Sequence, residues 1–106
     1  MKRGDIVTVA LSGDYGKPRP AVVVQNNKVS LDSLILCLIT SDVKTSQFRV
    51  FVEPSKETGL QKISQVMTDK IMTIPKSKIG KPCGFLSAEK MKEIEKALLL
   101  VLGFTD

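Results

Sequence analysis

One arginine of this 106-residue chain stands between two prolines, in "GKPRPAVVVQN" (residues 16–26). Pro18 fixes its own φ, and Pro20 biases Arg19 toward extended conformations. A guanidinium launched from so stiff a stem, just ahead of an apolar strand, has a defined direction. It stays charged and can grip phosphate through bidentate hydrogen bonds. A rim arginine in a hairpin bend is the other use of such a residue. Three more groups could do chemistry. In "ITSD", Thr40 and Ser41 fall where an apolar run gives way to a polar loop. Hydroxyls there can donate to a phosphoryl oxygen or cap backbone groups. Asp69, in "VMTDKIMTI", is a candidate general base that the neighbouring Lys70 could hold ionised; it reads equally as a bulge or turn residue. The glycine loop 13–17 carries the single tyrosine, Tyr15, together with Lys17. Such a pair can stack a base and touch a phosphate. Taken singly, none of the four decides a function.

What the chain lacks narrows the chemistry. It has no histidine and two cysteines, Cys37 and Cys83. No zinc-type cluster can be built at the usual ligand spacings. Ser-His-Asp and Cys-His sites are excluded within one chain. Catalysis must then rest on Arg, Lys, Asp, Glu, Thr, Ser, Tyr15 or the main chain. The net charge of +5 suits a polyanionic partner, although a solvated basic face would give the same balance. Cys37, inside "LILCLIT", reads as a buried small hydrophobe, and Cys83, between Pro82 and Gly84, as a turn residue.

These groups need a frame, and length and pattern suggest one small domain spanning residues 1–106. Strands are expected at Ile6–Leu11, Ala21–Gln25, Ser33–Thr40 and Gln47–Glu53, with Pro20 at the entry of the second. Further extended pieces are expected at Val66–Thr68 and Lys70–Ile74, on either side of Asp69, after a short piece at Leu60–Ser64. The period then changes. Ser87 reads as an N-cap with Glu89 in the first turn, and Gly103 as a stop. Met91, Ile94, Ala97, Leu98, Val101 and Leu102 between them form a helical apolar stripe for packing on the sheet. The expected fold class is mainly β with α: a small, strongly curved sheet or partly open barrel with a C-terminal α-helix. No apolar run approaches the ~18 residues of a membrane span. "MKRGDIV" is too short and polar for a signal peptide, so a cytoplasmic location is expected.

In combination and in order, "RGDIVTVAL", "GKPRPAVVVQN", "LITSD", "VMTDKIMTIPKSKIGK" and "GFLSAEKMKEIEKALLLVLGF" closely resemble the MazF/PemK family of toxin endoribonucleases, over nearly the whole chain. The resemblance implies an SH3-like barrel of about five to seven strands with a C-terminal helix, working as a homodimer. It implies metal-independent, sequence-specific cleavage of single-stranded RNA, often mRNA, with no cofactor. The 2′-hydroxyl attacks the adjacent phosphate and leaves a cyclic phosphate and a free 5′-hydroxyl. A cognate antitoxin lays an extended segment over the RNA groove, and DNA enters only through that antitoxin. The family's catalytic arginine falls on Arg19 and its strand-end threonine on Thr40, with Ser41 beside it. Some members carry an Arg-x-Asp pair, whose Asp falls on Asp69 and whose arginine position is Met67. Some have a histidine in the first loop, which this chain lacks. Catalytic roles are thus expected at Arg19, Thr40 and Asp69, and substrate contacts at Tyr15, Lys17, Ser41 and Lys70. Two other functions compete. A gyrase-poison toxin of the same fold would carry a tryptophan anchor near its end, whereas this chain has no Trp and ends "GFTD". A non-catalytic RNA-binding module would bind RNA and leave it uncut.

Overall fold

Apolar strands that run on without alternation need cover on both faces, and this chain supplies it. The computed structural model describes residues 1–11 and 17–106. Among them, six strands form one curled antiparallel sheet, a half-barrel: β1 (Asp5–Ala10), β2 (Pro18–Val23), β3 (Ser33–Thr40), β4 (Arg49–Val52), β5 (Ser64–Pro75) and β6 (Gly84–Phe85). Their order across the sheet is β4-β5-β3-β2-β1-β6. Neighbouring residues of a strand point to opposite faces. Ile6, Val22, Cys37 and Ile39 accordingly enter one core cluster, while Val7, Ala21, Val23 and Leu36 enter another. Helix α1 (Ala88–Val101) adds Met91 and Ile94 to the first cluster and lies against β4 and β5. Burial pushes the Cys37 thiol up to about 12, with Asp69 adding to the effect, so it stays protonated in the core.

The helix starts as its sequence requires. The Ser87 hydroxyl accepts the Lys90 backbone N–H at 3.1 Å, satisfying one orphan donor of the first turn. Gly103 takes φ +84° just past the end. The apolar stripe stops short of its expected length, because Leu102 falls in the exposed cap position. Arg3 fastens the helix to the sheet: its guanidinium bonds Glu95 at 2.8 Å and the Val24 carbonyl at 3.3 Å.

The short β6 has no counterpart in the sequence reading, and two further elements differ from it. β2 begins at Pro18, so both prolines and Arg19 lie inside the strand. The two expected pieces around Asp69 are one twelve-residue strand, β5, which starts only at Ser64. β5 passes Asp69 by bulging. Cys37 of β3 pairs with Ile71 and Ile39 with Val66, so two steps on β3 match five on β5. Residues 67–70 lie opposite Leu38 alone and leave the β3 ladder, and a bulged strand bends there. No helix among the described residues is long and apolar enough to cross a membrane.

Candidate active site

The site begins where two neighbouring strands part. β2 pairs with β1 from Pro18 to Val22, Pro18 opposite Ala10 and Arg19 opposite Val9. With β3 it pairs only from Ala21 to Val23. Pro20 has no N–H to extend that ladder. Beyond it the strands form a fork, and an open cleft of about 750 Å3 occupies the space. Pro18, Arg19 and Pro20 line one arm, and Leu38 through Asp42 the other. Gly59, Met67 and Cys83 also line the cleft. Arg19 is exposed there.

Thr40 ends β3 on the arm opposite Arg19. Its Oγ1 accepts the Asp42 backbone N–H at 3.0 Å. That turn fixes the hydroxyl through a lone pair and leaves its hydrogen able to donate to a phosphoryl oxygen. Ser41 follows at the mouth. Arg19 on one strand and Thr40 and Ser41 on another thus line one cavity, and Asp42, whose carboxylate lies 3.8 Å from the Lys44 ammonium, lines it too. Local sequence marks the two hydroxyls of "ITSD", whereas the place of Asp42 in the cleft shows only in the fold.

Asp69 and Lys70 form a separate group and are not among the residues lining the cleft. Asp69 accepts two hydrogen bonds from Arg49, Nε to Oδ1 and Nη2 to Oδ2, each 3.3 Å. The hydrogen bond from Arg49 holds the Asp69 carboxyl below its usual value, and the charges of Arg49 and Lys70 act in the same direction. Arg49 lies opposite Met67 in the β4–β5 ladder, so Asp69 is its diagonal neighbour. The guanidinium that an Arg-x-Asp pattern would place at position 67 is supplied from the next strand. In the sequence Arg49 lies within the expected strand Gln47–Glu53, and only the pairing register reveals its partner. Lys17 is exposed just before β2, and Tyr15 lies outside the described residues.

The ion pair has a consequence for stability. A folded-state pKa below the unfolded value contributes stability that is complete above the unfolded pKa, near ~4. It is lost as pH falls through the lower folded value. Asp69→Asn is therefore expected to lower stability at pH 7 by about 0.5 kcal/mol, the pair being partly exposed. The gap to the wild-type chain should close on acidification below the unfolded pKa. Urea titrations across that range would read it, and a gap that persisted in acid would contradict the pairing.

Comparison with known proteins agrees with this architecture. A family model, PemK-like, MazF-like toxin of type II toxin-antitoxin system, matches residues 2–102. The chain is 37% identical over 106 residues to a probable endoribonuclease MazF of Mycolicibacterium smegmatis, covering 97% of each protein. It superposes on the Mycobacterium tuberculosis toxin MazF-mt6 with a TM-score of 0.82 at 25% identity, over 93% of this chain and 96% of that one. An endoribonuclease solved in complex with its cognate antitoxin, from a mycobacterial species, shares the fold with a TM-score of 0.84 at 24% identity, over 100% and 98% of the two chains. A curled antiparallel sheet, a proline-braced arginine facing a strand-end threonine and a capped C-terminal helix come together with a family match along nearly the whole length, and the chain belongs to the PemK-like, MazF-like toxins of type II toxin–antitoxin systems.

Proposed function

We propose that this chain cuts single-stranded RNA, mRNA above all, in the cleft between Arg19 and Thr40, and so arrests translation and growth. The observation that carries this reading is the placement of those two residues on opposite arms of one open cleft. In-line attack by a 2′-hydroxyl needs charge stabilisation on a dianionic phosphorane, a proton acceptor and a route for a proton to the leaving 5′-oxygen. Arg19 supplies the charge and, at the leaving side, a donor. A guanidinium stays protonated at neutral pH and so does not serve as a base. Thr40 holds a non-bridging oxygen, with Ser41 beside it. Asp42 is the carboxylate that shares the cleft, and we assign proton acceptance to it. Asp69, engaged by Arg49, steadies the bulge of β5 instead. The products are a 2′,3′-cyclic phosphate and a 5′-hydroxyl. In this reading the toxin acts in the cytoplasm as a homodimer, without a metal or other cofactor. A cognate antitoxin covers the cleft and supplies any link to DNA.

One assay tests the reading. Purified protein is incubated with a long single-stranded RNA in EDTA, and 5′-hydroxyl ends are mapped. Cutting at a restricted set of sites is expected; intact RNA would overturn the proposal, and binding without cutting would point to an RNA-binding module. The same assay assigns the acceptor. Asp42→Asn should lose about 10²-fold or more in rate, the usual scale of general-base catalysis. Asp69→Asn should stay within about tenfold of the wild-type chain, consistent with a side chain outside the reacting groups; the reverse pattern would restore Asp69 as the base.

A further inference from the structure

The segment 41–48 carries Ser41 and Asp42 along the cleft, yet it belongs to no strand. Among the described residues, no backbone–backbone hydrogen bond outside the ladders ties it down. Two fully buried polar side chains of β5 hold it instead. Gln65 is 0% exposed and grips one residue twice: Nε2 donates to the Lys44 carbonyl at 2.7 Å, and Oε1 accepts the Lys44 N–H at 3.0 Å. Thr68, also 0% exposed, donates its hydroxyl to the Phe48 carbonyl at the far end. A primary amide is the neutral side-chain group that offers a donor and an acceptor side by side, as a neighbouring strand would. A leucine of similar size would leave both Lys44 groups unpaired.

The position of Gln65 adds to its bonding. It pairs with Thr40 on β3, so the residue that grips the loop also backs the strand end from which the loop departs. The loop's other anchor at that end is the Thr40 hydroxyl, which accepts the Asp42 N–H. Thr40 and Lys44 are thus both referenced to one residue of β5, and Asp42 lies between them.

We propose that Gln65 is a positioning residue for the cleavage reaction: its amide clamp on Lys44 fixes the loop that presents Ser41 and Asp42 to RNA, and through it the choice of cut site. The proposal rests on the cleft being the place where RNA is cut. Orientation accounts for large factors in rate, and small displacements of a reacting group are costly. Gln65→Leu is expected to lower kcat/KM on an oligoribonucleotide spanning a mapped site by about tenfold or more. It should also widen the set of sites cut in a long RNA and speed hydrogen exchange at the Lys44 amide. The isosteric Thr68→Val, which frees only the Phe48 end, should move the cut pattern in the same direction by less. It is read on its own should Gln65→Leu fail to fold. A merely structural residue would lower the melting temperature and leave the cut sites of the folded fraction unchanged. Folded variants with wild-type kcat/KM and wild-type cut sites would overturn the positioning role. A wild-type chain that cuts no RNA would instead overturn the function on which it rests.

Discussion

Arg19→Ala is expected to reduce the rate of RNA cleavage by at least 10²–10³-fold, the usual loss on removing one group that stabilises transition-state charge. The loss should fall on kcat as well as kcat/KM, because charge accumulates on the phosphorane and not on the bound RNA. Arg19→Lys tests geometry apart from charge. A lysine keeps the positive charge but offers a point donor in place of a planar fork, so it should recover only a small part of the rate. The fold should survive both changes. Arg19 is exposed, and its strand is held by the Val9 pairing and by the flanking prolines. Exposed substitutions of this kind cost about 0.5 kcal/mol. Gel-based kinetics beside a thermal melt would check both halves. An active, folded Arg19→Ala chain would remove Arg19 from the chemistry.

Gly59→Ala should be strongly destabilising. A Cβ built at Gly59 would sit 2.2 Å from the Cys83 carbonyl oxygen, a backbone atom that cannot swing aside. Gly59 also holds φ +69°, a left-handed conformation. Across the same seam, a Cβ at Gly84 would lie 2.2 Å from the Thr58 oxygen. The turn after β4 and the entry to β6 therefore interlock through two glycines, and Phe85 N–H bonds the Glu57 carbonyl there at 2.8 Å. Forced overpacking costs about 1–3 kcal/mol, and left-handed backbone adds about 1–2 kcal/mol for a residue with a Cβ. Together they predict a loss of about 3 kcal/mol, and at ~4–8 °C per kcal/mol a fall in Tm of roughly 15 °C. Gly103→Ala is the matched control. It shares a positive φ, +84°, but a Cβ there meets nothing within 4 Å. Backbone strain alone should then cost about 1 kcal/mol. Equal losses at the two positions would show that the close approach at the seam carries no weight. Gly59 and Cys83 also line the cleft, so spreading the seam should depress cleavage in the folded fraction.

Much of the frame was legible from local patterns. Ser33–Thr40 is a strand with the expected bounds, and Ser87 caps the helix as its position predicted. Such features depend on neighbours within a few residues, where side-chain period and capping chemistry act. The helix end was less legible, since exposure of Leu102 depends on where the sheet stops. Around Asp69 local rules split one strand into two pieces. An acid between β-rich segments resembles a break, and only pairing with β3 and β4 shows that the chain bulges and continues.

By itself the sequence determined the class of fold, the family, the exclusion of histidine chemistry and the stiff stem of Arg19. All of these follow from residue type, order and near-neighbour spacing. Tertiary structure alone decided the company each group keeps. It set Arg19 across a fork from Thr40 because Pro20 ends the β2–β3 ladder. It drew Asp69 to Arg49 because the β4–β5 register makes them diagonal neighbours, and it turned Gln65 inward onto Lys44. The last two are contacts between residues about twenty positions apart. Such distances are settled by strand register, and a register shift of one residue would send each of these side chains to the opposite face.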